Sequence, residues 1–130
     1  MSRTHKKVSY SPTGKLEDVT PAMAAAGARA AIQLIEGRWK LLIVFNLFGQ
    51  GVLRFSELER SISEVSQKML VQQLRELERD GIVHRTIYPE VPPKVEYALT
   101  AWGLAMCPTL NSLLEWGAAC PVKAQPASAE

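Results

Sequence analysis

Residues 65 to 85, VSQKMLVQQLRELERDGIVHR, decide how the chain is read. Ser66 is placed to cap a helix, and Leu70, Leu74 and Leu77 recur at the spacing that puts them on one helical face until Gly81 ends the run. Lys68, Gln72, Arg75 and Arg79 fall at i, i+4, i+7 and i+11, opposite the leucines, with Gln67 and Gln73 flanking them. The segment is therefore an amphipathic helix with an apolar floor and a polar, basic stripe.

After Gly81 the period changes. Val83, Arg85 and Ile87 are expected on one side of a strand, with Ile82, His84, Thr86 and Tyr88 on the other. Pro89, Pro92 and Pro93 forbid a helix and stiffen a loop. Lys94 to Leu99 alternates again, with Val95, Tyr97 and Leu99 on one side against Lys94 and Glu96. The two strands predict a hairpin with a projecting tip.

Working outward, the alanine-rich stretch from Pro21, with Ile32, Leu34 and Ile35, predicts a helix ended by Gly37. A second helix is expected from Arg38 to Phe48, with Trp39, Leu42, Ile43 and Leu47 inward and Gly49 and Gly51 as its stop. Val52 to Phe55 reads as a short strand. Ser56 and Glu59 have the spacing of a capping box, which would start a short third helix there. Thr100 is placed to cap one last helix, from Ala101 to about Ala118, with Leu104, Leu110, Leu113, Leu114 and Trp116 as its apolar content. Residues 1–20 lack a hydrophobic period and read as a flexible basic tail, residues 21–119 as one domain, and residues 120–130 as a second flexible tail.

The order helix, short strand, helix, helix, hairpin, helix is mainly α, an α+β winged helix-turn-helix with a β-hairpin wing and flanking helices. A helix of about 10–12 Å diameter enters a DNA major groove about 12 Å wide, and a wing reaches the adjoining backbone. Gln pairs bidentately with adenine and Arg with guanine, while the first N–H groups after Ser66 suit a phosphate. The candidate DNA-contacting residues are Arg54, Ser66, Gln67, Lys68, Gln72, Gln73, Arg75, Arg79, Arg85 and Lys94. A plainer reading makes the stripe a solvated face balanced by Glu76 and Glu78. The hairpin favours the first reading, since Arg85 and Lys94 stand on its two strands.

Bulk composition is neutral on this point. The 130 residues are 47% hydrophobic and 22% charged with a net charge of +2, the balance of an ordinary globular domain. Residues 54–94 carry seven basic and seven acidic side chains, so positive charge matters only if it is sorted onto one face. The longest apolar run, Leu41 to Phe48, is interrupted by Asn46 and is too short for the roughly 20 residues that span a bilayer, so no membrane role is expected. Two cysteines thirteen residues apart, Cys107 and Cys120, make no disulfide scaffold, and the cytoplasm is the expected compartment. His5 and His84 stand apart, no catalytic or phosphate-cradling motif is present, and no ligand cluster has metal spacing. Neither an enzyme nor a cofactor or metal is expected. Tyr88, Trp102 and Trp116 are candidates for lining an effector cavity, but aromatics of this kind are more often core or interface.

Four stretches together resemble the HxlR-type family of bacterial winged-helix transcriptional regulators: GRWKLLIVFNL at 37–47, RFSELERSI at 54–62, the segment at 65–85, and YPEVPPKVEYALTAWG at 88–103. The resemblance implies a homodimer on near-palindromic double-stranded operator DNA, with a recognition helix from Ser66 and a wing from Ile82 to Leu99. It also implies dimer contacts from the first and last helices, for which Ala24, Ala28, Leu110, Leu113, Leu114 and Trp116 are the candidates. In the family a Cys-Pro pair typically precedes the tryptophan by thirteen residues, and in many members that cysteine senses electrophiles or oxidants. Here Ala26 and Gly27 stand at that place before Trp39, so a redox role would pass to Cys107 or Cys120. Cys107 is expected inside a helix without a basic neighbour, which argues against a reactive thiolate. A small-molecule effector is a further candidate partner, and a protein-docking module on the same fold is the alternative function.

Overall fold

A computed structural model describes residues 19 to 122. The tails expected over 1–20 and 120–130 fall almost wholly outside them. The elements run α1 (Pro21–Ile35), α2 (Arg38–Gln50), β1 (Val52–Arg54), α3 (Phe55–Ser61), α4 (Gln67–Arg79), β2 (Val83–Tyr88), β3 (Lys94–Leu99), α5 (Ala101–Leu104) and α6 (Cys107–Ala118). By packing, the chain divides into two units, with the boundary between Leu41 and Leu42.

In the first unit, the Thr20 hydroxyl accepts the Met23 N–H at 3.1 Å and Pro21 opens α1, where its missing N–H has no helical partner to lose. Alanine fills the helix, so intrinsic propensity supports it. No α1 residue is buried, and Ile32 is 58% exposed. Gly37, at φ 107°, turns the chain where a side chain would be strained.

In the second unit, Ile43, Val44 and Leu47 of α2 are buried. Leu42, expected inward, is 39% exposed, and Val44 takes its place. At about 100° per residue, Leu42 lies on the far side of Ile43 from Val44, and the helix turns its 43–44–47 face to the core. The strand Val52–Arg54 ends one residue earlier than expected, and α3 begins at Phe55. The cap expected at Ser56 and Glu59 is shifted back: Arg54 is the N-cap residue, and its N–H donates to the Glu57 carboxylate at 2.8 Å. Pairing of Arg54 with Glu96 in the sheet holds that residue extended and fixes where the helix starts.

The sheet order is β1-β3-β2, antiparallel throughout, so Tyr97 on the central strand pairs with Leu53 on one side and Arg85 on the other. The sheet's inner residues Leu53, Val83, Tyr97 and Leu99 join Leu58, Leu70, Leu74 and Leu77 in the core. Burial fades along β2 from Val83 to the exposed Arg85 and Ile87, as the hairpin leaves the body of the domain.

Thr100 locks the base of the hairpin. Its hydroxyl donates to the Gly81 carbonyl at 2.6 Å and accepts the Gly103 N–H at 3.0 Å, while its own N–H donates to the Ile82 carbonyl at 3.0 Å. Gly103 is required there, since a Cβ would run into the Ile82 carbonyl oxygen. The single last helix expected from Ala101 to Ala118 is instead two, α5 and α6. Pro108 has no N–H to donate to the Leu104 carbonyl, so the ladder breaks between Leu104 and Cys107 and restarts with proline in the first turn.

Candidate nucleic-acid interface

The four-residue stripe comes together on α4. The Ser66 hydroxyl accepts the Met69 N–H at 3.0 Å and fixes the start of the helix. Leu70, Leu74 and Leu77 are buried beneath it, and Lys68, Gln72, Arg75 and Arg79 are exposed on the opposite face. With Gln67 they line a shallow concavity of about 600 Å³. Val71 and Glu76 line it too, and neither stood among the expected contact residues. Their signal was in the sequence: Glu76 is four residues beyond Gln72, on the same helical face, and Gln72 Nε2 donates to its carboxylate at 3.3 Å. Gln73 is turned aside, half-buried, with its Nε2 donating to the Met69 sulfur at 3.5 Å. Arg79 lies 3.9 Å from the Asp80 carboxylate.

The wing is differently wired. Arg85 Nε stands 3.5 Å from Glu78 Oε1, so its charge is partly answered by α4. Lys94 Nζ lies 3.8 Å from Glu96 and 4.0 Å from Glu90, and 4.5 Å above the centre of the Tyr88 ring. The hydrogen bond to Glu96, and then the charge of Glu96, hold the Tyr88 hydroxyl above the usual tyrosine range. Arg54 faces the wing across a cleft of about 390 Å³ lined by Phe55, Ser56, Glu90, Pro92, Pro93, Lys94 and Val95. Val91 at the tip is 99% exposed.

The candidate dimer residues separate. Leu113, Leu114 and Trp116 are exposed on α6, and Ala28 is exposed on α1 beside a half-buried Ala24. Leu110 is buried, so its side chain belongs to this chain's own core and not to an outward face. Cys107, expected inside a helix, is the half-buried first residue of α6, because Pro108 restarts the helix there. Cys120 is exposed, and its thiol donates to the Val122 carbonyl at 3.2 Å. Tyr88 packs under Lys94, while Trp102 and Trp116 face solvent. No described helix is long and apolar enough to cross a membrane.

A short strand and two-stranded wing around a helix whose outer face is polar and basic define a winged helix-turn-helix of the DNA-binding, transcription-regulating class. The HxlR-like helix-turn-helix family matches residues 34–124, and the chain belongs to that family. A relative from Methanothermobacter thermautotrophicus, named as an HTH-type transcriptional regulator, is 49% identical over 87 residues, which cover 67% of this chain and 66% of the relative. Among solved structures, a transcriptional regulator ascribed to the MarR family, from Enterococcus faecalis V583, superposes with a TM-score of 0.71 at 40% identity, covering 78% of this chain and 91% of that one. The oxidized form of the redox regulator HypR is also 40% identical, with a TM-score of 0.65 over 75% of this chain and 99% of that one. The family and its curated relatives are transcriptional regulators, not enzymes.

Proposed function

We propose that the protein is a homodimeric, sequence-specific regulator that binds near-palindromic operator DNA in the cytoplasm, with α4 as its recognition helix. The observation that carries this reading is the sorting of α4: three buried leucines on one face, and Lys68, Gln72, Arg75 and Arg79 exposed in one concavity on the other. A purely structural helix needs the leucines but not a stripe with two guanidinium groups, an ammonium and an amide at groove spacing. The exposed Leu113, Leu114 and Trp116 on α6 supply the apolar surface that a second copy would cover, and the small residues of α1 allow close helix approach. Two recognition helices related by a dyad then meet half-sites about one or two turns apart, each turn about 34–36 Å.

The oxidant response in the name of HypR is not carried over. Ala26 and Gly27 can do no thiol chemistry, so any such response falls to Cys107 or Cys120, and binding is expected to persist under mild peroxide.

Selection of bound genomic fragments by the purified protein, together with its mass by sedimentation at micromolar concentration, tests the reading. Enrichment of sites with internal two-fold symmetry and a dimeric mass are expected. A monomer, or equal retention of all fragments, overturns it.

A further inference from the structure

We propose that Val71, Gln72 and Glu76 form an A·T-reading unit, in which Gln72 pairs with adenine, Glu76 holds the Gln72 amide for that task and excludes guanine, and Val71 packs on a neighbouring thymine methyl. The inference rests on the reading of α4 as the helix that enters the major groove. All three side chains line the same concavity, and Gln72 Nε2 donates to Glu76 Oε2 at 3.3 Å. A carboxylate only accepts hydrogen bonds, so it fixes which end of the amide faces it. The second N–H and the carbonyl oxygen of Gln72 remain for a base. Adenine offers an acceptor at N7 and a donor at N6, which match that pair, whereas guanine offers two acceptors. Glu76 beside them repels the guanine O6, where adenine presents its N6 donor, and disfavours every duplex a little through the phosphates.

Val71 is the apolar member of an otherwise polar lining, half-buried between Lys68 and Arg75, and the thymine C5-methyl is the apolar group on the major-groove edge. Gln73, the other amide nearby, is engaged with Met69. Glu76 is thus a positioning residue that acts through Gln72.

Selection from a randomised duplex library by the full-length protein tests the unit. The parent should select adenine at one fixed position in each half-site. Gln72→Ala and Glu76→Ala should both lose that preference, by about 5- to 150-fold against guanine, and keep the rest of the site. Glu76→Gln, which retains an acceptor for the Gln72 amide but loses the charge that repels guanine, should keep part of the adenine preference, between the parent and Glu76→Ala, and bind all duplexes more tightly. Deoxyuridine in place of the neighbouring thymidine, which removes only the methyl, should weaken the parent and leave Val71→Ala unaffected. A parent motif that Gln72→Ala and Glu76→Ala select unchanged overturns the inference and leaves α4 as a recognition helix. A parent that selects no sequence overturns that reading of α4, and this inference with it.

Discussion

On α4, Lys68, Gln72, Arg75 and Arg79 are exposed above a floor of buried leucines, whereas on the wing Arg85 is set against Glu78 and Lys94 against Glu90 and Glu96. Both regions carry basic side chains at places a DNA duplex would meet. They differ in what a phosphate would have to displace. Exposed ion pairs are worth only about 0–1 kcal/mol, so the wing's pairs can open, but the carboxylates they release stay close by and offset the gain. In the proposed complex the stripe would make the main electrostatic contact and the wing would contribute more through shape, with Val91 at its tip and Pro92 and Pro93 stiffening the approach.

The largest contrast lies beneath the two surfaces. Leu74→Ala opens a cavity under the stripe at a fully buried site and should cost about 2–5 kcal/mol of unfolding free energy in a urea titration. Ile87→Ala, on a wing residue 55% exposed, should stay within about 0.5 kcal/mol of the parent. Similar losses at both would mean that the wing is held by packing as strongly as α4, and the contrast would fail.

Next comes the salt dependence of DNA binding. Lys68→Ala and Arg75→Ala should each flatten the slope of log affinity against log salt by about 0.9, the value for one phosphate contact. Arg85→Ala and Lys94→Ala should each flatten it by less than about half of that, because Glu78, Glu90 and Glu96 already balance those charges. A full unit lost at Arg85 or Lys94 would show that the pairs open on DNA and that the wing grips phosphate as the stripe does.

How far the sequence carried this contrast depends on how local each feature is. Lys68, Gln72, Arg75 and Arg79 were legible as one face, since the 3.6-residue period and the Ser66 cap lie within one segment and need no partner, but Val71 and Glu76 beside them and the turning aside of Gln73 were not. The hairpin and its two strands were legible for the same reason. The facing of α2 was not: from Trp39 to Phe48 apolar residues occur almost all round the helix, so the sequence leaves its phase open, and only the folded chain buries Val44 in place of Leu42. The start of α3 had two acids to choose from, and the pairing of Arg54 with Glu96 selected Glu57 over Glu59. Pro108 did signal the break between α5 and α6, and giving it full weight would have placed Cys107 at a helix start. The Arg85–Glu78 pair was out of reach, because Arg85 meets Glu78 only once the strand has folded back along α4, whereas Lys94 and Glu96 lie on one side of a single strand.

The smallest expected effect joins the two regions at Tyr97. Burial, first of all, holds its phenol above the usual tyrosine range; the positive charge of Arg85 pulls it back, Glu78 adds to the rise, and Arg75 on the stripe pulls it back more weakly. A raised folded-state value means that the neutral phenol is the form the fold favours. Its contribution to stability is complete below the unfolded value of about 10 and is lost as pH climbs through the folded one. Unfolding free energy should therefore fall more steeply above about pH 10 in the parent than in Tyr97→Phe. Phenolate absorbance resolves the two arginines. Arg85→Ala should push the Tyr97 titration further up, and Arg75→Ala should move it the same way by less, because Arg85 pairs directly with Tyr97 across the sheet. If Arg75→Ala gave the larger shift, the stripe and not the wing would hold the cation turned toward the core, and the division of labour between an outward stripe and a compensated wing would have to be reversed.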